Sequence, residues 1–159
     1  MDKLLVDTTY LLPIFGIKIK LENFNRLFPE ILKKYNVLYN PISIVEAKWI
    51  ILRLIKKYPI KKEALLSTFR TGLEILQVDN RLSETKLTTP KIEELADKLM
   101  EIGIKDYFDR IIYSTAVYQK AIFLTEDVEL KELLNKNIPK PINIISWKEV
   151  INLKQHENP

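Results

Sequence analysis

Four acidic residues stand where functional side chains collect in helix-flanked parallel sheets. Two follow apolar runs typical of buried strands, and two are expected in the first turns of helices; they are Asp7, Asp127, Glu46 and Asp109. Because ligand-binding side chains gather where parallel strands end, all four can face one edge of the sheet. Clustered carboxylates favour a bound cation, and ligand sets made only of oxygen suit Mg²⁺ or Mn²⁺. Such an ion can activate water and stabilise phosphoryl charge, so the pattern predicts metal-dependent hydrolysis.

Two of these acids also have a purely structural explanation. Asp7 could simply cap the turn that follows it, as aspartate often does. Glu46 could belong to a narrow solvent-facing stripe, favourably placed near a helix N-terminus. The other members of that stripe would be Ile50, Arg53 and Lys57. The sequence leaves both alternatives open.

Three charged neighbours are secondary candidates for the same site. Asp106 is expected to cap the N-terminus of the helix that carries Asp109, and it could also touch a metal. Glu129, two residues beyond Asp127, is a candidate outer ligand. Arg110 directly follows Asp109 and could position a phosphate or pair with an acid.

The composition removes most other catalytic chemistries. The 159 residues include no cysteine and a single histidine, His156, in a polar C-terminal segment. Thiolate zinc sites, cysteine nucleophiles and disulfides are therefore excluded, and a Ser-His-Asp triad is disfavoured. The three glycines, Gly16, Gly72 and Gly103, form no phosphate-cradling loop, which disfavours a nucleotide-binding domain. The formal charge of +4 permits a polyanionic partner, but lysine used for solubility explains it equally well.

Short apolar runs alternate with helical patterns along the chain. Strands are expected at 4–6, 37–39, 121–124 and 142–145, and the end of the 61–77 helix, at 74–78, could be a fifth. Other helices are expected at 22–35, at 43–57, from Pro90 to just before Gly103, and at 106–120. A short helix should end at Asn135, and a last helix should begin near Ser146. Pro29 should bend or interrupt the first of these helices, and 79–89 is polar and turn-like.

This alternation predicts a single α/β domain over residues 1–150, with a polar tail at 151–159. Its parallel sheet should have about four to five short strands with helices on both faces. No stretch has the roughly 20 apolar residues of a membrane span, and the N-terminus lacks the features of a signal peptide. We therefore expect a cytoplasmic protein that does not contact membranes.

The four acids and their flanking residues resemble the PIN-domain nucleases. The resemblance rests on LLVDTTYLL, SIVEAKW, FDRIIYSTA and FLTED, which contain Asp7, Glu46, Asp109 and Asp127 in that order. It implies a helix-flanked parallel sheet and a Mg²⁺- or Mn²⁺-dependent endoribonuclease in which these four residues hold the metal. It also implies that hydroxyl groups at Thr125 and Thr8 lie beside the site. Many small members of the family are VapC-type toxins, so the resemblance further implies an antitoxin partner and a homodimer.

Two further groups of residues bear on RNA binding. Five basic residues near one helix–helix junction could contact RNA phosphates or form a solvated junction; they are Arg53, Lys56, Lys57, Lys61 and Lys62. Three aromatic residues, Trp49, Tyr107 and Phe108, are expected in the core or a dimer interface rather than as base-stacking platforms. The competing function is a PIN-like interaction or scaffold module with weak or no nuclease activity. A scaffold has no physical need for four clustered acids.

Overall fold

A five-stranded parallel sheet forms the centre of the molecule. The computed structural model describes the backbone of residues 1–155 and the side chains of residues 1–152. The strands are β1 (Lys3–Val6), β2 (Asn36–Tyr39), β3 (Leu82–Glu84), β4 (Ile122–Leu124) and β5 (Asn143–Ile145). Their spatial order is β3-β2-β1-β4-β5, and every neighbouring pair is parallel. The predicted fold class is therefore confirmed.

Within residues 1–155, seven α-helices cover the sheet. They are α1 (Phe24–Lys34), α2 (Ile42–Lys57), α3 (Lys62–Val78), α4 (Pro90–Glu101), α5 (Tyr107–Tyr118), α6 (Val128–Glu132) and α7 (Trp147–Gln155). Part of the predicted tail at 151–159 belongs to α7, and His156 and the three residues after it lie outside the described residues. Within the described residues, no helix is both long enough and apolar enough to cross a membrane.

The strands bury both of their faces, as their continuous apolar sequences predict. Leu4 and Val6 of β1 pack with α1, α2 and α3, whereas Leu5 faces the other way, with α4 and α5. All three residues are fully buried. Because successive side chains alternate across a strand, one short apolar run contributes to two separate cores. The helices therefore have fixed positions on both faces of the sheet.

β3 was not predicted from the sequence. It lies within 79–89, at the edge of the sheet, and only Leu82 of its three residues is buried. The possible strand at 74–78 is wrong, because α3 continues to Val78. An edge strand buries little apolar surface, so its sequence carries no apolar run by which it could be recognised.

Two helical predictions also need correction. Of the two effects expected of Pro29, interruption is wrong, because α1 continues through it, and a bend stays a prediction. The buried residues of α1 lie both before and after the proline; they are Phe24, Phe28, Ile31 and Leu32. Packing of this face compensates for the backbone hydrogen bond that proline removes. α2 begins one residue earlier than expected, at Ile42, which moves Glu46 from the first turn to the start of the second.

Strand order determines where a site can form. β1 lies at the centre, with β2 on one side and β4 on the other. The chain thus builds one half of the sheet outward from β1 to β3 and then returns to build β4 and β5. Such a reversal opens a crevice at the carboxyl ends of the two central strands. Asp7 follows β1 and Thr125 follows β4, directly at this crevice.

Candidate metal centre

Asp7 lies at the carboxyl end of β1 and is 8% exposed. One carboxylate oxygen accepts a hydrogen bond from the backbone N–H of Thr8 (2.7 Å), and the other accepts one from the Thr125 hydroxyl (2.6 Å). Asp7 therefore does cap the 3-10 turn Thr8–Tyr10, as the structural alternative proposed. It also lines a cleft at the switch point, so the two roles coexist.

Glu46 enters the same cleft from α2 and is partly buried. The Thr8 hydroxyl donates a hydrogen bond to its carboxylate, and the hydroxyl oxygens of Thr8 and Ser43 are 3.0 Å apart. Thr8 and Ser43 are both buried. These contacts hold Glu46 toward the end of β1 rather than along an open solvent-facing stripe.

Asp106 and Asp109 enter from the first turn of α5. Asp106 is the N-cap, as predicted, and one of its oxygens accepts hydrogen bonds from the backbone N–H groups of Phe108 (2.8 Å) and Asp109 (3.4 Å). Both acids line the cleft. Residues three apart on a helix lie on one face, which explains why the pair reaches one site.

Asp127 enters from the loop after β4 and caps α6. Its carboxylate accepts from the Leu130 N–H (3.1 Å), and its own N–H donates to the Thr125 hydroxyl (3.1 Å). Thr125 therefore connects Asp7 and Asp127 from beneath the cleft. The intervening Glu126 accepts instead from the Tyr10 hydroxyl (2.5 Å) and the Trp147 N–H (2.7 Å).

The cleft has a volume of about 330 Å³ and is strongly acidic. It is lined by Asp7, Thr8, Thr9, Leu12, Glu46, Ile50, Asp106, Asp109 and Asp127. None of these nine residues carries a positive charge. Burial, followed by the charges of Asp7, Asp106, Asp127 and Glu46, raises the pKa of Asp109 to about 8. Burial likewise raises the pKa of Asp7 and of Glu46, against the hydrogen bonds that these carboxylates accept.

This arrangement suits a hard divalent cation by charge and by donor type. Partly desolvated carboxylates that raise one another's pKa are stabilised by a positive ion, and oxygen donors are those that Mg²⁺ and Mn²⁺ prefer. Among the described residues, however, no three acidic side chains are grouped closely enough to hold an ion in this conformation. Side-chain rotation would be needed, because Glu46 is turned toward Thr8 and Asp127 toward the Leu130 amide.

Two secondary candidates lie away from the cleft. Glu129 is exposed on α6 and is not among the lining residues. Arg110 donates to the backbone carbonyls of Ile104 (3.1 Å) and Lys105 (3.4 Å), and its guanidinium lies 5.4 Å from the centre of the Tyr107 ring. Among the described residues, neither side chain forms a hydrogen bond or ion pair with an acid of the cleft.

Sequence reasoning missed two buried polar residues that support the site. Asn40 follows β2 and bonds both to the start of α2 and to Thr115 of α5, and Ser43 contacts Thr8. Asn40 could have been found, because a polar residue after an apolar strand is the same pattern that singled out Asp7. Ser43 carried no signal, since a serine early in a helix has many structural uses.

The sequence matches the family model described as PIN domain over residues 4–135, which is most of its length. The chain belongs to the PIN-domain family. No curated protein sequence matches it. The matched region contains all four of the predicted acids.

Several solved structures share this fold at low sequence identity. A chain from VapBC2 of Rickettsia felis, bound to a promoter DNA fragment, matches with a TM-score of 0.61 and 17% identity over 91% of this chain and 98% of its own. PAE2754 from Pyrobaculum aerophilum matches with a TM-score of 0.59 and 16% identity over 95% of each chain. A chain of FitAB bound to the IR36 DNA fragment matches with a TM-score of 0.53 and 15% identity over 91% of this chain and 94% of its own.

We expect Thr125→Val to destabilise this PIN domain by roughly 1–3 kcal/mol, although valine has nearly the same shape. The change removes the hydroxyl that donates to Asp7 and accepts from the Asp127 N–H, leaving buried polar atoms without partners. Urea unfolding measures the loss. Thr71→Val, at an exposed position of α3, is the matched control. Equal stability of the two variants would contradict the prediction.

We expect the metal-free protein to lose stability as the pH rises. The Asp109 pKa of about 8 lies above the ordinary value of 3.8, so the folded state binds the extra proton between these values. The free energy of unfolding must then fall from about pH 5 to about pH 8. Urea unfolding in EDTA at several pH values tests this. Asp109→Asn should flatten the slope, whereas Asp97→Asn, on α4, should not; a stability that rises with pH would refute the assignment.

Proposed function

We propose that this PIN domain is an endoribonuclease that depends on Mg²⁺ or Mn²⁺ and hydrolyses RNA phosphodiester bonds. Its metal ligands are Asp7, Glu46, Asp109 and Asp127. The observation that carries the proposal is the single cleft that these acids, from four parts of the chain, share without a lining cation. Burial there, together with the charges of the neighbouring acids, raises the pKa of Asp109 to about 8. Members of the PIN-domain family are generally nucleases, which supports the same conclusion.

The chain's own residues would prepare the site for its ion. Hydrogen bonds from Thr8 and Thr125 hold the Asp7 carboxylate in place, and the Thr8 hydroxyl holds Glu46. Asp109 retains a proton near neutral pH until a cation approaches. When bound, a divalent ion supplies Lewis acidity that lowers the pKa of a water molecule and offsets charge on the phosphate. The acids need no histidine or cysteine for this chemistry.

The remaining candidates have supporting roles in the proposal. Asp106 lines the cleft and fixes the first turn of α5, which orients Asp109. Thr125 orients Asp7 and the Asp127 backbone from below. Glu129 and Arg110 would reach a bound phosphate or its hydrated ion only after a side-chain rearrangement.

We extend the proposal to a toxin-antitoxin pair in the cytoplasm, with this chain as the toxin. The fold is shared with chains of VapBC2 and FitAB, whose solved structures are both bound to DNA fragments. The proposed partners are an antitoxin protein and a second copy of the chain. Size-exclusion chromatography of the purified chain tests the homodimer, and its co-purification with the product of a neighbouring gene tests the antitoxin.

Cleavage of a mixed RNA pool tests the nuclease directly. Purified protein is incubated with Mn²⁺ or with EDTA, and its melting temperature is measured under the same conditions. We expect cleavage only with Mn²⁺, together with a higher melting temperature, because an ion that binds only the folded state stabilises it. Neither cleavage nor stabilisation would favour the scaffold function.

A further inference from the structure

Trp49 on α2 is unusually exposed for a tryptophan. It is 57% exposed, whereas the other tryptophan, Trp147, is 2% exposed. Of the two places predicted for Trp49, the core is therefore wrong, and a dimer interface stays a prediction. Its ring meets Phe108 in an edge-on contact, with 6.4 Å between ring centres. Trp49 follows Glu46, which lines the acidic cleft, by three residues on α2, so the two side chains share one face of the helix.

A line of cations leads away from the cleft along the same helix. Arg53 and Lys57 follow Glu46 by seven and eleven residues, which is close to two and three whole helical turns. They therefore lie in line with Glu46, about 10 and 16 Å along the helix axis. Lys61 continues the line across the next turn, and the Tyr58 ring lies between Lys57 (5.2 Å) and Lys61 (5.3 Å).

These three cations form no salt bridge in the described part of the chain. The ion pairs found there involve other lysines and Arg81. Burial raises the pKa of Glu46, and the charge of Arg53 partly opposes this rise from a longer distance. Arg53, Lys57 and Lys61 are all exposed. An exposed row of unpaired positive charge beside a strongly negative cleft is not explained by folding stability, because isolated surface charges contribute little to it.

We propose that the exposed side of α2 is a track for single-stranded RNA: a base stacks on Trp49 while Arg53, Lys57 and Lys61 contact phosphates of the strand leaving the cleft. We call these four residues the α2 track. The inference rests on the proposed nuclease function and extends it to the way the substrate is held.

Charge and ring chemistry together favour RNA over a protein partner. Proteins that hold single strands combine a positive groove that follows the backbone with aromatic rings on which bases stack. The acidic cleft by itself repels phosphates, so attraction must come from cations beside it. A duplex fits poorly, since its bases are already stacked on each other. Val45 and Leu52 are also exposed on α2, and a protein-docking face is the alternative that the experiment must detect.

Tryptophan fluorescence measures RNA binding at the α2 track without any catalysis. The protein carries Asp7→Asn and is kept in EDTA, so RNA is bound and not cleaved. A short mixed-sequence single-stranded oligoribonucleotide is titrated in. Only two tryptophans emit, and buried Trp147 is an internal reference. We expect strong quenching that disappears in Trp49→Phe, and much weaker quenching by the same sequence as a duplex.

Variants distinguish the contribution of base stacking to RNA binding from that of the phosphate contacts. Trp49→Ala should weaken binding by about 5- to 150-fold, the range for losing one base–aromatic stack. The double variant Arg53→Gln, Lys57→Gln should reduce the slope of log K against log salt by about 1.4, because each phosphate contact on a single strand contributes about 0.7. The control Lys3→Gln, Lys140→Gln removes two exposed charges near the amino-terminal edge of the sheet and should leave the slope unchanged. Unchanged melting temperatures exclude misfolding.

The outcomes distinguish this inference from the proposed function. If the wild-type protein cleaves RNA but Trp49 is not quenched and the variants bind normally, the α2 track is wrong and the nuclease stands. Quenching and a reduced salt slope without any cleavage by the wild type would support the track and refute the nuclease. Loss of self-association in Trp49→Ala, with RNA binding unaffected, would identify the face as a protein interface and overturn the inference.

Discussion

Asp7→Asn is expected to abolish Mn²⁺-dependent RNA cleavage while leaving the domain folded. Asparagine has nearly the same shape, and its amide oxygen can still accept from the Thr8 N–H. Its amide nitrogen can donate to the Thr125 hydroxyl, which in wild type is the donor. The fold therefore keeps its hydrogen bonds, and what is lost is a negative charge at the centre of the cleft.

The expected loss of kcat/KM is at least about 100-fold, or about 2.7 kcal/mol of transition-state stabilisation. Replacing groups that only orient a metal ligand typically costs about 10- to 100-fold, so removing the proposed ligand should cost no less. The rise in melting temperature with Mn²⁺ should disappear as well. Without metal, the variant should be at least as stable as wild type, because burial raises the pKa of Asp7 and disfavours its charge.

Asp97→Asn is the matched control for this experiment. It removes the same charge from an exposed position on α4 and should keep both cleavage and metal stabilisation. Full activity of Asp7→Asn would remove Asp7 from the site and with it the proposed metal centre. Loss of cleavage with metal stabilisation intact would instead assign Asp7 to substrate contact.

Asn40→Ala is expected to cause the largest loss of stability outside the apolar core. Asn40 is fully buried at the end of β2. Its amide nitrogen donates to the Thr115 hydroxyl (2.8 Å) and to the carbonyls of Lys86 (3.2 Å) and Leu87 (3.0 Å). Its oxygen accepts from the Ile42 N–H (2.9 Å). One side chain therefore connects α2, α5 and the loop after β3.

Alanine leaves several of these buried groups without partners, and each such group costs about 1–3 kcal/mol. We expect a loss of roughly 3 kcal/mol in urea unfolding. Because α2 carries Glu46 and α5 carries Asp109, Mn²⁺ affinity should fall as well. Asn36→Ala, at the exposed start of the same strand, should change neither property.

Asn40→Asp provides a second check on this explanation. Aspartate keeps the acceptor for the Ile42 N–H but cannot donate to the two carbonyls, toward which it would turn a negative charge. It should destabilise the domain at least as much as alanine does. A stable Asn40→Asp variant would mean that the donor contacts contribute little, and that the connection between α2 and α5 is made elsewhere.

The class of fold and the chemistry available to the protein could both be predicted from the order of its amino acids. A strand inside a parallel sheet is buried on both faces, so β1 is visible as an unbroken apolar run followed by Asp7. The absence of cysteine and the near absence of histidine leave carboxylates as the main groups for catalysis. Capping is similarly local, which is why Asp106 could be assigned to a helix start from its neighbours alone.

Which acids share the cleft depends on how the helices are oriented in the folded protein. Adjacent residues on a helix point about 100° apart, so Arg110 turns away from Asp109 although it follows directly in sequence. Glu129 likewise belongs to α6, whereas Asp127 caps it from outside the helix. Arg110 and Glu129 were therefore wrongly grouped with their sequence neighbours. The direction in which the helix orients each side chain determines whether it lines the cleft.

Long-range contacts were equally invisible in the sequence. β3 is held at the edge of the sheet by β2 and buries one residue, so its existence depends on the strand beside it. The exposure of Trp49 and the connections made by Asn40 depend on how α2 and α5 pack on the sheet. Local pattern specifies which face of an element is apolar, but only the packed structure specifies what each polar side chain meets.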